Sequence, residues 1–344
     1  MVMSQDKQNG FLKKQTDMEL KNKRFLVIGG AGFIGSHVVD QLLQEDVAEV
    51  IIFDNFSRGR HENIANALKD KRCNVFDLGG DILHTDILDK AMQNIDGVFH
   101  LAALWLLHCY DYPRSAFEVN IKGTFNIIEA AVKNNVKRVV YSSSASVYGN
   151  ALSIPMTEDH AYNNETFYGA TKIAGEHMYK SLGIRYGLNW VGLRYMNVYG
   201  PRQDYKGAYI AVMHKILDCL DKGEKPVVYG DGSQQYDFIA VEDCARANIC
   251  AMKANTSGAC YNVGTGIGTS VKNLTELLID LSGKKSEIHY EPAGLTFVTN
   301  RIGSIEKAEK EIGYHWTIGI KDGMKKLINW RKTNIKELES LRKY

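Results

Sequence analysis

The stretch VIGGAGFIG, Val27 to Gly35, decides the fold. It ends the apolar run RFLVI and opens FIGSHVVDQLLQE, whose apolar spacing is that of a helix. Gly29 leads the pattern Gly30-x-Gly32-x-x-Gly35. Glycines so placed permit a tight turn and let the backbone approach a diphosphate. The helix that follows offers free N–H groups and a positive dipole end to that anion. About twenty residues beyond the last glycine, Asp54 closes the strand-like EVIIFD, where a carboxylate can accept both hydroxyls of a ribose. Strand, glycine turn, helix and acid in this order predict a dinucleotide site rather than a turn that only packs helix on strand. A carboxylate repels a ribose 2′-phosphate and so favours NAD over NADP, with Arg58 and Arg60 close by as a counterweight.

Outward from this stretch the text alternates. DGVFHLAA and VKRVVYSSS read as further buried strands, with helical text such as GTFNIIEAAVKNN between them. The alternation predicts an α/β chain with a Rossmann-like, doubly wound parallel sheet. NWVGLRYMNVYG reads as one more strand. Beyond Gly200 the pattern loosens, which predicts a smaller C-terminal lobe over the ligand edge of the sheet. The expected organisation is a polar extension over 1–22, a dinucleotide-binding domain over 23–200, and a lobe over 201–344 from which part of the chain returns to the sheet. The charged, amphipathic run from Gly319 to Tyr344 is expected along one edge.

The chain has 344 residues, enough for one large domain and a smaller one. Its net charge of +2 gives no field that would argue for nucleic acid or a membrane surface. No run is apolar enough to span a bilayer, and the charged first residues lack the core of a signal peptide. Six scattered cysteines without a CxxC pair predict reduced thiols, no metal site and a cytoplasmic location.

Chemistry gathers in two places. YSSSASVYG, Tyr141 to Gly149, puts serines at a strand end, where open parallel sheets place their chemistry. FYGATKIAGEH puts Tyr168 and Lys172 on one helix face. A phenol with its reference pKa of about 10 is a poor base at neutral pH. A neighbouring ammonium is expected to bring it down. A serine, a tyrosine and a lysine beside a nicotinamide suit hydride transfer between an alcohol and a ketone.

With these residues in view, the chain resembles the extended short-chain dehydrogenases/reductases of the nucleotide-sugar epimerase and dehydratase group. The likeness runs from about Lys23 to Trp330 and rests on GGAGFIG, HLAA, SSSASVYG, YGATK, LRYMNVYGPRQ and YGDGSQQYDFIAVEDCARA. The nearest reaction type is that of the UDP-galactose 4-epimerases. The resemblance implies that Ser144, Tyr168 and Lys172 are catalytic. It places Phe33 and Ile34 over the pyrophosphate, Asp54 and Asn55 at the ribose, and Asp86 and Ile87 at the adenine. Leu101, Ala102 and Ala103 follow the cofactor along their strand. Asn120, Ser142 and Met196 lie toward the nicotinamide, and Lys172 also reaches its ribose. Asn197 lies toward the sugar diphosphate, with Ser144 and Ser146 at the sugar.

The resemblance also implies what is excluded. Relatives that eliminate water carry an Asp-Glu pair where Ala145 and Ser146 stand. Decarboxylating relatives put a glutamate, and fucose-synthase-like ones a cysteine, in place of Ser146. The reaction that remains is epimerisation of a UDP-sugar at C4 through a transient ketone, with NAD recycled in place. Alternatives are a one-way nucleotide-sugar 4-dehydrogenase or reductase, UDP- or GDP-linked, and a non-catalytic dinucleotide sensor. The expected partners are a nucleotide sugar and a second copy of the chain, and the family association is with polysaccharide precursor synthesis.

Three departures from the family pattern concern the substrate. Tyr236 stands where many relatives carry an arginine for the diphosphate, and cannot supply a charged fork. Arg301, in AGLTFVTNRIGS, is a candidate replacement. Trp105 makes LAALWLLHCYDYP bulky, with His108 and Cys109 beside it. Arg202 and Arg246 are further candidates for contact with a phosphate or a structural carboxylate.

Overall fold

The structure, a computed structural model, describes residues 18–203, 212–293 and 300–334. Six strands are laid down first: β1 (Arg24–Ile28), β2 (Glu49–Phe53), β3 (Cys73–Val75), β4 (Gly97–His100), β5 (Arg138–Ser144) and β6 (Trp190–Tyr195). The chain then leaves through β7 (Asn197–Tyr199), β8 (Val227–Tyr229) and β9 (Gln235–Ala240) before β10 (Ala259–Val263) returns. The main sheet has the order β10-β6-β5-β4-β1-β2-β3, with every pairing parallel. Its order reverses between β4 and β1, and a crevice opens there beyond the carboxyl ends of the strands.

The helices that bear on core and site are α1 (Phe33–Gln44), α2 (Thr85–Ala91), α3 (Leu106–Asp111), α4 (Thr124–Lys133), α5 (Phe167–Tyr186), α6 (Val212–Lys222), α7 (Val241–Lys253), α8 (Val271–Ser282), α9 (Glu306–Ile312) and α10 (Ile320–Thr333). The strands are apolar on both faces because helices cover both. Val38, Val39 and Leu42 of α1 and Ala245 and Met252 of α7 join one core. Ile127, Ile128 and Ala131 of α4 and Tyr179 of α5 join the other. On that second face Tyr179 packs against Tyr141 and Trp190, with ring centres 4.9 and 5.6 Å away.

The lobe has its own small sheet. β9 pairs in parallel with β7 and β13 (Asn300–Arg301) and antiparallel with β11 (Gly268–Ser270). Helices α6, α8 and α10 cover it through Met213, Leu217, Leu274, Leu278, Met324 and Leu327. A two-stranded pair, β8 with β12 (His289–Glu291), lies beside it.

Two expectations change and one gains a location. NWVGLRYMNVYG is two strands, divided at Met196: β6 belongs to the main sheet and β7 to the lobe, so the lobe's sheet begins before Gly200. The polar extension does not reach residue 22, because Leu20 is buried and Met18 packs on the core. The amphipathic terminal run, expected along one edge that the sequence does not name, buries its apolar face in the lobe. Residues 335–344 of that run, and 1–17 of the extension, lie outside the described residues.

Candidate active site

A cleft of about 430 Å³ opens at the crevice, lined by Gly29, Gly32, Phe33, Ile34, Gly35, Asp54 and Asn55 among others. Gly29 has φ +83°, and a Cβ there would stand 2.8 Å from the Ala102 nitrogen. A side chain would thus force the loop off the end of β4. At the N-terminus of α1, Gly32 caps without a side chain, leaving the first N–H groups unclaimed by side-chain caps. Asp54 accepts from Ala31 N at 2.9 Å through one oxygen and from Phe56 N at 2.9 Å through the other. Each oxygen keeps a lone pair for a second donor. Burial raises its pKa, and the backbone N–H bonds oppose that shift.

The adenine end needs a correction. Asp86 is exposed on α2 and Ile87 packs partly on the core. Asp81 and Ile82 line the cleft instead, after Gly80. The cleft side of that connection comes directly after β3, and α2 has already turned away. Leu101, Ala102 and Ala103 line the opposite wall as expected from their place after β4. Asn120 does not line the cleft. Buried, it receives a bond from Leu104 N at 2.7 Å and donates to Leu104 O and Thr171 Oγ1 at 3.0 and 3.2 Å. It holds the wall in place from behind.

Trp105 does line the cleft, and Arg58 lies flat over it with 3.3 Å between guanidinium carbon and ring centre. Burial lowers the Arg58 pKa to about 10, which keeps it cationic at neutral pH. The indole N–H is buried without a hydrogen-bond partner among the described residues. His108 packs between Trp105 and Tyr112, with ring centres 5.0 and 5.2 Å away, and acts as a spacer.

At the far end stand the serines, each with a different task. Ser142 exchanges a hydrogen bond with Tyr195 (2.9 Å), and its carbonyl accepts from Lys172 Nζ at 2.8 Å. Ser143 donates to Glu176 at 2.5 Å. Ser144 accepts from Ser146 N at 3.1 Å, donates to the Ser146 hydroxyl at 3.1 Å, and lies near enough to Tyr168 to favour its ionised form. Thr166 caps α5 by accepting from Gly169 N at 3.1 Å, so Tyr168 sits in the first turn and Lys172 one turn on. Lys172 Nζ lies 5.6 Å from the Tyr168 ring centre.

The expected direction of the Tyr168 shift is reversed. Burial pushes the phenol up to about 12, while the nearby Ser144 hydroxyl and the Arg301 charge act against it. Burial also brings Lys172 down to about 8. Lys172 therefore loses its charge well before Tyr168 titrates, and cannot hold the phenol down over that range. Below about pH 8 the site pairs a neutral phenol with an ammonium.

On the substrate side, Met196 is not in the cleft wall but buried in the core, and Asn197 donates to Asp237 O at 3.3 Å. Arg202 borders the cleft, but its charge is paired with Asp40 of α1 at 2.7 Å. Arg246 is paired with Asp243 at 2.7 Å, the structural carboxylate of the two options. Tyr236 and Arg301 stand opposite one another on β9 and β13. Arg301 and Ser146 share a small niche next to Ser144, with Leu106, Asn164 and Thr166 in its wall. Parallel neighbours in register point to one face of a sheet, so the cation that Tyr236 lacks is carried by the adjoining strand. Cys109 is buried behind Leu104 and its thiol is pushed up to about 11, so it stays protonated.

The model of the NAD dependent epimerase/dehydratase family matches residues 25–264, from β1 to the end of the main sheet. The chain belongs to that family. It is 32% identical over 318 residues to the UDP-glucose 4-epimerase of Mycolicibacterium smegmatis, covering 89% of this chain and 98% of that one. The solved UDP-N-acetylglucosamine 4-epimerase from Methanobrevibacter ruminantium is 32% identical with a TM-score of 0.86, covering 91% of this chain and 99% of that one. The UDP-glucose 4-epimerase from Thermotoga maritima, solved with UDP-glucose, is 31% identical with a TM-score of 0.84 and the same coverage. The family's dinucleotide fits the cleft on three observations. The Gly29–Gly35 turn is a cradle that a Cβ would fill, Asp54 faces the end of β2 with spare lone pairs, and the indole donor of Trp105 lacks an acceptor.

Proposed function

We propose that this protein is an NAD-dependent nucleotide-sugar 4-epimerase acting on a UDP-linked hexose. The observation that carries the reading is the placing of Ser144 and Tyr168 beside Lys172, at the end of a dinucleotide cleft and with Ala145–Ser146 as neighbours. Those neighbours supply no carboxylic acid and base for elimination. Gly29, Gly32, Phe33, Ile34, Gly35, Asp54, Asn55, Asp81, Ile82 and Leu101 to Ala103 form the cofactor wall in this reading. NAD bound along this wall would supply the hydride acceptor and donor for C4. Tyr168 in its ionised form, the minor one at neutral pH, would accept the C4 hydroxyl proton and give it back from the phenol, Ser144 holds the C4 oxygen, and the Lys172 ammonium present below about pH 8 stabilises that phenolate. Arg301, Tyr236 and Asn197 face the substrate.

The test uses purified protein without added cofactor, incubated with UDP-glucose, UDP-N-acetylglucosamine, UDP-glucuronate and GDP-mannose. Chromatography with mass detection is expected to give an isomer of unchanged mass from a UDP-sugar. A keto product with one equivalent of NADH would replace this reading with a one-way dehydrogenase. Arg301→Leu is expected to raise KM for the converted sugar about tenfold, the effect of one charge-assisted contact, with a smaller change in kcat. Initial rates against substrate concentration check it.

Two further features belong to the proposal. Phe125 of α4 and Ile184 and Tyr186 of α5 are exposed on neighbouring helices, which supports a homodimer through that face. All six cysteines are free thiols, and no described helix is long and apolar enough to cross a membrane. Reduced thiols support a cytoplasmic location.

A further inference from the structure

Glu176 lies one turn beyond Lys172 on α5, and its carboxylate is almost fully buried, with 4% of the side chain exposed. Such a charge is costly unless paired, and it is paired with Arg194 of β6, itself 5% exposed. Arg194 Nε and Nη2 donate to the two carboxylate oxygens at 2.9 and 2.8 Å, the fork geometry that arginine favours. Tyr162 donates to the same carboxylate at 3.0 Å. Neither residue itself lines the cleft, and no step of the reaction above uses the pair.

Its connections run both ways. Toward the site, Ser143 donates to Glu176 at 2.5 Å, and Ser143 immediately precedes Ser144. Toward the lobe, Arg194 Nη1 donates to the Tyr148 hydroxyl at 2.8 Å, and Tyr148 donates to Asn262 Oδ1 at 2.7 Å. Asn262 in turn donates to the Met156 and Ser304 carbonyls at 2.9 and 3.1 Å. Met156 and the Ile302–Ser304 segment exchange backbone bonds of 2.8 Å, directly after Arg301. One buried chain of hydrogen bonds therefore joins the strand end that carries Ser144 to the segment that carries Arg301.

We propose that Glu176 and Arg194 are positioning residues that fix Ser144 and the lobe's Arg301 segment relative to one another, and that the Glu176 charge maintains the ammonium of Lys172. The inference rests on the epimerase reading and assigns new residues to that site.

The charge argument depends on what surrounds Lys172. Tyr141 of β5, His100 of β4, Cys109 of α3 and Tyr168 and Glu176 of its own helix are the titratable groups that act on it or face it. Burial holds His100 neutral, with its pKa brought down to about 3, and keeps the Tyr141 phenol and Cys109 thiol protonated. Glu176 is left as the ionised group that favours the ammonium. Removing its charge lowers the Lys172 pKa, because the charged form loses a favourable partner. The unpaired Arg194 cation then acts in the same direction.

The experiment measures kcat and KM of the holoenzyme from pH 6 to 10 (roughly two units either side of the Lys172 value), with melting temperature recorded beside them. In the unmodified enzyme the alkaline limb belongs to Lys172. Glu176→Gln is expected to move that limb down by about half a unit or more and to lower kcat about tenfold. Tyr148→Phe keeps both charges and cuts the link to the lobe, so KM rises several-fold and the limb stays. A limb that Lys172→Met abolishes but Glu176→Gln leaves in place overturns this inference alone. A limb that survives Lys172→Met overturns the role of Lys172 and this inference with it. If Glu176→Gln does not fold, Ser143→Ala decides: it cuts the bond to the serine strand, and an unchanged kcat overturns the proposal.

Discussion

Tyr168→Phe is expected to lower turnover on the converted nucleotide sugar by about 10³-fold, within the range for loss of a general base, while fold and bound cofactor remain. The phenylalanine ring fills the same place in the first turn of α5, and Lys172 keeps an aromatic face at the same distance. What disappears is one oxygen. That oxygen lies near the Ser144 hydroxyl, feels the charge of Arg301, and is the group placed to exchange a proton with a C4 hydroxyl. No other group in the cleft replaces it: Lys172 is committed to the Ser142 carbonyl, and Cys109 is buried behind the wall as a thiol. Initial rates of isomer formation, with near-ultraviolet absorbance to count bound nicotinamide, check both halves of the expectation. Wild-type turnover by Tyr168→Phe would overturn the proton-transfer role assigned to Tyr168.

Gly35→Ala carries the second large effect, on the cofactor and on stability together. A Cβ at Gly35 would stand 2.1 Å from the Gly29 carbonyl oxygen and 2.9 Å from Gly30 Cα. Both are backbone atoms, so no rotamer change relieves the clash, and α1 must move off the turn. Overpacking of this kind costs about 1–3 kcal/mol, and the turn that cradles a diphosphate is the part displaced. The expected result is protein purified with less than about a tenth of the wild-type NAD, melting a few degrees lower. Gly32→Ala is the internal comparison, because its Cβ would meet the nearest atom at 3.2 Å. It should melt close to wild type. Equal melting temperatures for the two variants would contradict the packing role assigned to Gly35.

How much of this was legible before the structure varies from residue to residue, for physical reasons. The glycine turn, Asp54 and the strand-end serines are local patterns: each is specified by a few adjacent residues and a change of period. The adenine end misled because DILHTDILD offers the same Asp-Ile pair twice. Only the distance from β3 separates Asp81-Ile82, on the cleft, from Asp86-Ile87, on a helix that has turned outward. A count from the strand end, with Gly80 just before the first pair, would have chosen correctly. For Arg202 the sequence leaves a phosphate and a structural carboxylate both open, because its partner, Asp40, is far away along the chain. The Lys172 effect on Tyr168 was misjudged because burial acts on both groups, and sequence gives charge without depth. Glu176 had left a signal, an acid one turn beyond the lysine, but its meaning needed Arg194, Ser143 and Tyr148 from three other parts of the fold.

The division of the strand at Met196 reaches beyond topology. The chain crosses from sheet to lobe there, back at Ala240–Val241, out again after Val263, and once more between Arg301 and α9, which joins the main core through Ala308 and Ile312. A body sewn on by several threads cannot swing like one hung on a single hinge. The ketone must nevertheless present both faces of its ring to the same nicotinamide. With the protein stitched this firmly, the half-turn between the two faces falls to the ligand. The enclosure around the sugar must then be roomy and tolerant, anchored at the diphosphate and permissive at the ring.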